Sequence, residues 1–211
     1  FDADFARLIG YLLGDGYVKF RKTTGIISFT NNDKDLLDDF EKLMQSVFNV
    51  NVSKRKRIGS YEYYASSIEL VRILHRIIPS ITELSGEKGT SKIITTSPNY
   101  VLKEFIKSLF DCEAHVRKDG RVIEFSSKSR EMIYSLKYLL LRFGIISQLN
   151  SEMKCATNTK LKIKRKYYRL RISGEDVNKY YEHIGFTSAQ KQKRLINCIN
   201  PNKKLNTNIK I

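Results

Sequence analysis

Two acids stand where a packed helix has no use for them. The stretch "LIGYLLGDG" (8–16) is apolar almost throughout and ends on Asp15, and "IKSLFDCEA" (106–114) repeats the design and ends on Glu113. A carboxylate at a helix C-terminus opposes the macrodipole, which is negative at that end. Each stretch also carries small residues four apart, Gly10 and Gly14 in the first, Ser108 and Cys112 in the second. By analogy with close small-residue helix contacts, this spacing lets the two helices approach and sets Asp15 beside Glu113 at the centre of the molecule. Two carboxylates pressed together repel unless a cation lies near them. Two hard oxygen donors suit Mg²⁺, which takes one or two carboxylates and completes its shell with water and phosphate. Divalent ions so placed stabilise the attacking and leaving oxygens of phosphodiester cleavage.

The elements that would position the acids are also duplicated. After Asp15 come "YVKF" and "GIISFTNN"; after Glu113 come "AHVRK" and "RVIEFSS", joined through an Asp-Gly turn. Each pair then meets an amphipathic helix, "DKDLLDDFEKLMQSVF" (33–48) or "SREMIYSLKYLLLRFG" (129–144), with apolar residues at helical spacing. Asp33 and Ser129 are the expected N-caps and Gly144 the expected C-cap. A second strand pair follows in each half, "VNVSKRKRIGSYEYYASS" and then "IISQLNSEMK" with "KLKIKRKYYRLRIS", and a short helix closes each, "IELVRILHRII" and "EDVNKYYEHI". The order α-β-β-α-β-β-α therefore occurs twice, over 1–98 and 99–200, with "SAQKQKRLINCI" a last helix and 201–211 a polar tail. The expected fold is α+β: two pseudo-symmetric αββαββα halves, the acid-bearing helices at the central interface, and two antiparallel sheets forming a saddle.

The strands interleave basic and aromatic residues, and the 211-residue chain carries 38 Lys plus Arg against 22 acids, a formal charge of +16. Charge that far from zero argues for a polyanionic partner, and a sheet face of Lys, Arg and Tyr suits the DNA major groove, phosphate contacts positioning it and side chains reading base edges. The residues expected to do so are Lys19, Arg21, Lys54, Arg55, Lys56, Arg57, Tyr61 and Tyr63 in the first half, and Arg117, Lys118, Arg121, Lys162, Lys164, Lys166, Arg169 and Arg171 in the second. The hydrophobic fraction, 41%, supports a real core, and no apolar run is long enough to span a bilayer. No signal peptide is visible; with Phe rather than Met at position 1, a processed or trimmed product is expected. Cys112, Cys155 and Cys198 have neither zinc spacing nor a disulfide pattern, which fits a reducing cytosol.

Together the two acid-ended helices, each followed by the same succession of strands and helices, resemble the duplicated motif of single-chain LAGLIDADG (dodecapeptide) homing endonucleases. The resemblance covers nearly the whole chain. It places the metal-binding acids at Asp15 and Glu113, with Gly14 and Cys112 before them in the metal set, and two or three Mg²⁺ ions shared by the pair. Ser108 and Ala114 replace glycines of the motif in the second copy, and Asp111, acidic where the first copy has Leu13, is expected to be structural or to cap. Similarity to intein-type members implies a lysine closing each half, Lys92 in "GEKGTSK" and Lys191 in "SAQKQKR", with Lys88 and Lys193 as near alternatives. Asn31 and, in the second half, Lys128 take the place of the polar residue that holds metal-bound water in such relatives.

The implied activity is Mg²⁺-dependent, sequence-specific cleavage of both strands of DNA at a long site, by a monomer needing no protein partner and no membrane. The location expected is cytoplasmic and nucleoid-associated, or the nucleus or an organelle in a eukaryote. Splicing blocks are not visible in the chain, so a free-standing or intron-encoded enzyme, or an isolated endonuclease portion, is expected. The rival is an RNA maturase or a DNA-binding regulator on the same scaffold, which would bind without cutting.

Overall fold

The computed structural model describes residues 1–155 and 164–199. The first half runs α1 (Ala3–Leu13), β1 (Gly16–Phe20), β2 (Gly25–Asn31), α2 (Lys34–Phe48), β3 (Ser53–Arg57), β4 (Ser60–Ser66) and α3 (Ile68–Ile77). A 3₁₀ turn (Pro79–Thr82) and a single-turn helix α4 (Lys92–Thr95) lead to the second half: α5 (Asn99–Glu113), β5 (Ala114–Val116), β6 (Val122–Ser127), α6 (Arg130–Leu141), β7 (Gln148–Cys155), β8 (Lys164–Ser173) and α7 (Glu175–His183), then α8 (Ala189–Ile199). Each half forms one four-stranded antiparallel sheet, in the orders β1-β2-β4-β3 and β5-β6-β8-β7. The polar tail and Lys162 lie outside the described residues.

Local signals set the helix starts. Asp2, Asp33, Ser67 and Ser129 sit in extended backbone and accept main-chain N–H bonds from the first turns of α1, α2, α3 and α6. After α6 the chain reverses at Gly144 with φ 67°, the left-handed conformation that favours glycine.

The halves meet through α1 and α5. A Cβ on Gly10 would overlap the Ser108 hydroxyl and come within 2.6 Å of the Phe105 carbonyl; one on Gly14 would come within 2.5 Å of Cys112 Cβ. Glycine is needed at both positions for the helices to cross this closely. Ser108, fully buried, turns its hydroxyl back to the Glu104 and Phe105 carbonyls at 3.0 and 3.1 Å, so no polar group is left unpaired at the contact. Each motif helix packs under its own sheet through an aromatic cluster: Tyr11, Phe29 and Phe40 in one half, Phe110, Phe125 and Tyr180 in the other, centroids 4.9–5.4 Å apart. At the far end of α1, Arg7 bridges to Asp39 of α2 and Glu104 of α5, both at 3.0 Å, tying the halves together away from the acids.

Candidate active site and nucleic-acid interface

Asp15 follows the last turn of α1, and Glu113 is the last residue of α5, so the helix crossing delivers both acids to one place. The macrodipole problem has a direct solution. The Lys88 ammonium donates to the Leu12 and Leu13 carbonyls at 3.1 Å and to the Gly16 carbonyl at 3.2 Å, covering the bare C-terminal carbonyls of α1. Lys191, in the first turn of α8, does the same for α5 through the Phe110 and Asp111 carbonyls.

Lys191 thus reaches the acids, and the other lysine there is Lys88, the near alternative, in place of the expected Lys92. Lys88 is 8% exposed. Lys92 begins α4 with its side chain in solvent, because the loop from 83 to 91 turns inward at 88 and has turned outward again by 92. Ser80 pins that inward turn by two hydrogen bonds to the Gly89 main chain, at 2.9 and 3.1 Å. Lys193 is exposed on α8.

Asn31, the last residue of β2, donates from Nδ2 to Asp15 Oδ2 at 2.8 Å, while its Oδ1 accepts the Asp33 N–H at 2.8 Å. Lys128 lines a cavity with Glu113, Lys88, Ser126, Ser127 and Tyr167, its ammonium 5.5 Å from the Tyr167 ring centre. Asp111 is 2% exposed and accepts the Thr187 and Ser188 N–H groups at 2.9 and 3.1 Å, which fixes the loop entering α8 and so the base of Lys191. Its role is that of an anchor, as its motif position implied.

The electrostatics are those of like and unlike charges brought close together at the end of the helix crossing. Burial pushes the Glu113 carboxyl up to about 7, and the Asp15 charge adds to the shift; Lys88 and Lys191 work against it. Burial raises Asp15 as well, countered by Lys191, the Cys112 thiol, Asn31 and Lys88. Both lysines are pulled below their ordinary value by burial. The Asp15 charge thus works against ionisation of Glu113, and a divalent cation at the pair would relieve that repulsion. No group of three or more His, Cys, Asp or Glu side chains at metal spacing occurs among the described residues, so such an ion would take these two carboxylates plus water and substrate phosphate. Gly14 can contribute only its main chain to a metal. Burial, with the Asp15 charge beside it, pushes the Cys112 thiol well up, so its thiolate is disfavoured; like Gly14, Cys112 would offer a metal its main chain, while its side chain fills the helix crossing.

The sheet registers sort the expected DNA contacts. Val18, Ile27, Phe29, Tyr63 and Ala65 point to the helices, as do Ile123, Phe125, Leu170 and Ile172. Strand residues alternate sides, so Arg55, Arg57, Arg169 and Arg171 lie on the opposite, open faces; Lys19 shares that side of β1, but its ammonium is engaged by the Thr82 carbonyl. Arg21, Arg117, Lys118 and Arg121 are exposed at the β1–β2 and β5–β6 turns. Lys54, Lys56, Tyr61 and Tyr63 do not belong with them: they occupy the helix side of the sheet, where Lys54 pairs with Glu41 of α2 at 2.6 Å and stacks on Tyr63. Lys164 and Lys166 likewise share the face of Tyr168 and Leu170, with Lys166 over the Tyr168 ring. In "SKRKR" every side chain of β3 is exposed, so no apolar residue marks which of two alternating sets faces out. Sequence reading passed over Arg165 and Tyr167, which face the open side with Arg169, and Glu62, a buried acid among the arginines. The alternation of Leu170 and Ile172 on β8 was the signal available for Arg165.

Among the described residues no helix is long and apolar enough to cross a membrane. Compared with curated proteins, the chain is 26% identical over 211 residues to the glutamine–fructose-6-phosphate aminotransferase (isomerizing) of Methanocaldococcus jannaschii, covering 96% of this chain and 18% of that protein. It is 29% identical over 211 residues to the replication factor C small subunit of the same organism, covering 96% and 11%. The chain thus spans less than a fifth of either relative. Among solved structures it resembles the homing endonuclease I-DmoI in complex with DNA and Ca, with a TM-score of 0.63 and 18% identity over 86% of this chain and 88% of that one. The model of the LAGLIDADG-like domain matches residues 2–78 and again residues 101–185, one copy on each half that the acids and their helices define, and the chain belongs to the LAGLIDADG-like family.

Proposed function

We propose that the protein is a site-specific double-strand DNA endonuclease that works as a monomer, one half of the chain addressing each strand. The observation that carries this reading is the pair Asp15 and Glu113, delivered together by a helix crossing and each backed by a lysine on the carbonyls behind it. A scaffold that only bound DNA would gain nothing from two repelling carboxylates at its centre, which is why the maturase or regulator is the weaker reading. The metal is a divalent cation, Mg²⁺ by the hardness of the donors. Bound at the two carboxylates, it would supply Lewis acidity toward the scissile phosphate and the leaving oxygen.

The chain's own residues do the rest. Asn31 fixes the rotamer of Asp15, so one carboxylate oxygen stays aimed into the site. Lys88 and Lys191 bring positive charge close to where the phosphorane charge grows, in a setting dry enough for that charge to count. Lys128, at the cavity wall beside Glu113, is placed to orient water or phosphate there. The open sheet faces carry the arginines that would grip the major groove.

The same segment recurs inside relatives as unlike as an aminotransferase and a replication factor subunit, which supports an intein-type endonuclease domain carried within host proteins. Its place of action would be wherever the host gene's DNA lies, the cytoplasm and nucleoid of a cell without a nucleus. Cleavage of a plasmid library of random long sites, with Mg²⁺ and with Ca²⁺, tests the activity. Linear product with Mg²⁺ supports the enzyme; binding without cutting in either metal would move the assignment to the regulator.

A further inference from the structure

The open face of the first sheet carries an acid at its centre. Glu62 of β4 lies opposite Arg55 and diagonal to Arg57 of the edge strand β3. Its Oε2 accepts Arg55 Nε at 2.7 Å and Arg57 Nε at 2.6 Å, with Arg57 Nη2 at 2.5 Å. Glu62 is 5% exposed, whereas the two arginine side chains are 44% and 48% exposed. The Arg55 guanidinium also stacks on Tyr64, 4.9 Å from its ring centre. A single carboxylate, itself out of solvent, therefore holds two half-exposed guanidinium groups against the sheet.

On a surface that only attracted phosphates, this acid would be a handicap, since it cancels charge the interface needs. Its effect is on geometry. A free arginine gives up rotamer entropy when a ligand fixes it, and here the hydrogen bonds to Glu62 already restrict both side chains in the unbound protein. The hydrogen bonds spend donors selectively. Glu62 takes only Nε of Arg55, leaving both terminal nitrogens for a bidentate contact; Arg57 keeps Nη1 and the second hydrogen of Nη2. Bidentate arginine to O6 and N7 of guanine is the commonest specific contact of the major groove. Residues two apart on one strand face are about 7 Å apart, which equals two base-pair steps of about 3.4 Å.

We propose that Glu62 is a positioning residue that aims Arg55 and Arg57 at two guanines two base pairs apart, in the major groove under the N-terminal half. The proposal rests on the DNA-endonuclease reading above. The arrangement is not a requirement of the fold. In the second sheet the arrangement differs: Arg169 and Arg171 stand on the inner strand β8, and the acids beside Arg169 are the exposed Glu152 of the edge strand β7 and the partly exposed Glu124 of β6, 3.8 Å from the Arg169 guanidinium and opposite Arg171. The arginines hold the Glu62 carboxyl down at about 2, so the clamp stays charged at any working pH.

The test is selection of bound duplexes from a randomised DNA library in Ca²⁺, with the wild type, Glu62→Gln, Glu62→Asp, Arg55→Lys, Arg57→Lys and Arg171→Lys, each checked by thermal melting. The wild type should select guanine at two positions with one pair between them, by about tenfold or more over other bases. Arg55→Lys and Arg57→Lys should each relax one of those positions at unchanged salt slope, since the charge is kept, and Arg171→Lys should relax a position in the other half-site. Glu62→Gln should weaken both guanine preferences while leaving the other half-site's profile as in the wild type, and Glu62→Asp should keep part of the preference. A selected site whose bases do not respond to Arg55→Lys and Arg57→Lys overturns the proposal, as does an unchanged guanine preference in a folded Glu62→Gln. If no common sequence emerges with the wild type, site-specific recognition fails altogether, an outcome separate from the failure of the clamp alone.

Discussion

Asn31 Nδ2 lies 2.8 Å from Asp15 Oδ2, a hydrogen bond from the end of the second strand to the acid after the first helix. Asn31 is itself held through Oδ1 by the N–H of Asp33, the cap of α2. The acid at the centre of the molecule is thus oriented by the framework of its own half.

Replacing Asn31 with Ala removes a hydrogen bond to a charged group, worth about 1.5–3 kcal/mol, or a loss of about tenfold to a hundredfold in the rate at the strand served by Asp15. Because the Glu113 side is left intact, supercoiled substrate should pass through accumulated nicked circles. A time course on agarose distinguishes this from a uniform slowing, which would argue that Asn31 supports both strands equally.

Glu113→Gln and Asp15→Asn should each abolish or cripple double-strand cutting while retaining DNA binding in Ca²⁺. Normal cutting by either variant would remove that acid from the chemistry. In gel-shift assays without turnover, their affinities should match or exceed the wild type, since each change removes one negative charge facing phosphate.

Glu113 also predicts a pH dependence. Its folded pKa, about 7, lies above the usual carboxyl value. The folded state therefore binds the proton more tightly than the unfolded chain. The stabilisation is full below the unfolded pKa and is lost as pH rises from there through about 7. In metal-free buffer the wild type should melt progressively lower than Glu113→Gln across this window, with the gap constant above it. Added divalent cation should close the gap at pH 8 by binding the ionised pair. A gap that does not change with pH would mean the Glu113 carboxyl titrates normally.

The two lysines of the closing segments separate by test. Lys88→Met and Lys191→Met remove charge beside the acids and uncover helix-end carbonyls, and each should lower kcat by about 10²–10³, the magnitude of losing one preorganised electrostatic group. Lys92→Met should leave kcat near the wild type. Single-turnover cleavage at saturating enzyme reads the difference without interference from binding; a large loss at Lys92 would reassign the catalytic lysine.

Gly10→Ala forces a methyl into the Ser108 hydroxyl and the Phe105 carbonyl, and the main chain cannot yield as a side chain would. Overpacking of this kind costs about 1–3 kcal/mol, so the melting temperature should fall by several degrees, and the acids, set by the same crossing, should cut more slowly. Gly59→Ala supplies the contrast: an added Cβ there meets nothing within 4 Å, and its cost is only that of a left-handed turn with φ 73°. An equal effect of the two on cleavage would show that helix spacing does not set the acid pair.

The sequence by itself determined the duplication, the element order, the caps and the two acids, because these are local or periodic. Apolar spacing marks a helix face, a serine or aspartate before it marks its start, and a pattern stated twice identifies itself. Small residues at 10, 14, 108 and 112 announced the crossing for the same reason, since only a close contact needs them. What the tertiary structure alone decided is where loops and parities fall. The loop from 83 to 91 has no period, so its inward turn at Lys88 rather than Lys92 follows from the Ser80–Gly89 hydrogen bonds and the waiting carbonyls of α1. The basic strands alternate faithfully, but a strand without apolar residues carries no mark of which set faces the helices. Arg55 was therefore inseparable from Lys54, and Arg165 from Lys164 and Lys166, until pairing with strands that do have a core face fixed the register. Glu62 was hidden for a further reason: a buried acid on a basic face is legible only once the two arginines that neutralise it, distant in sequence by no more than a hairpin, are seen to close over it.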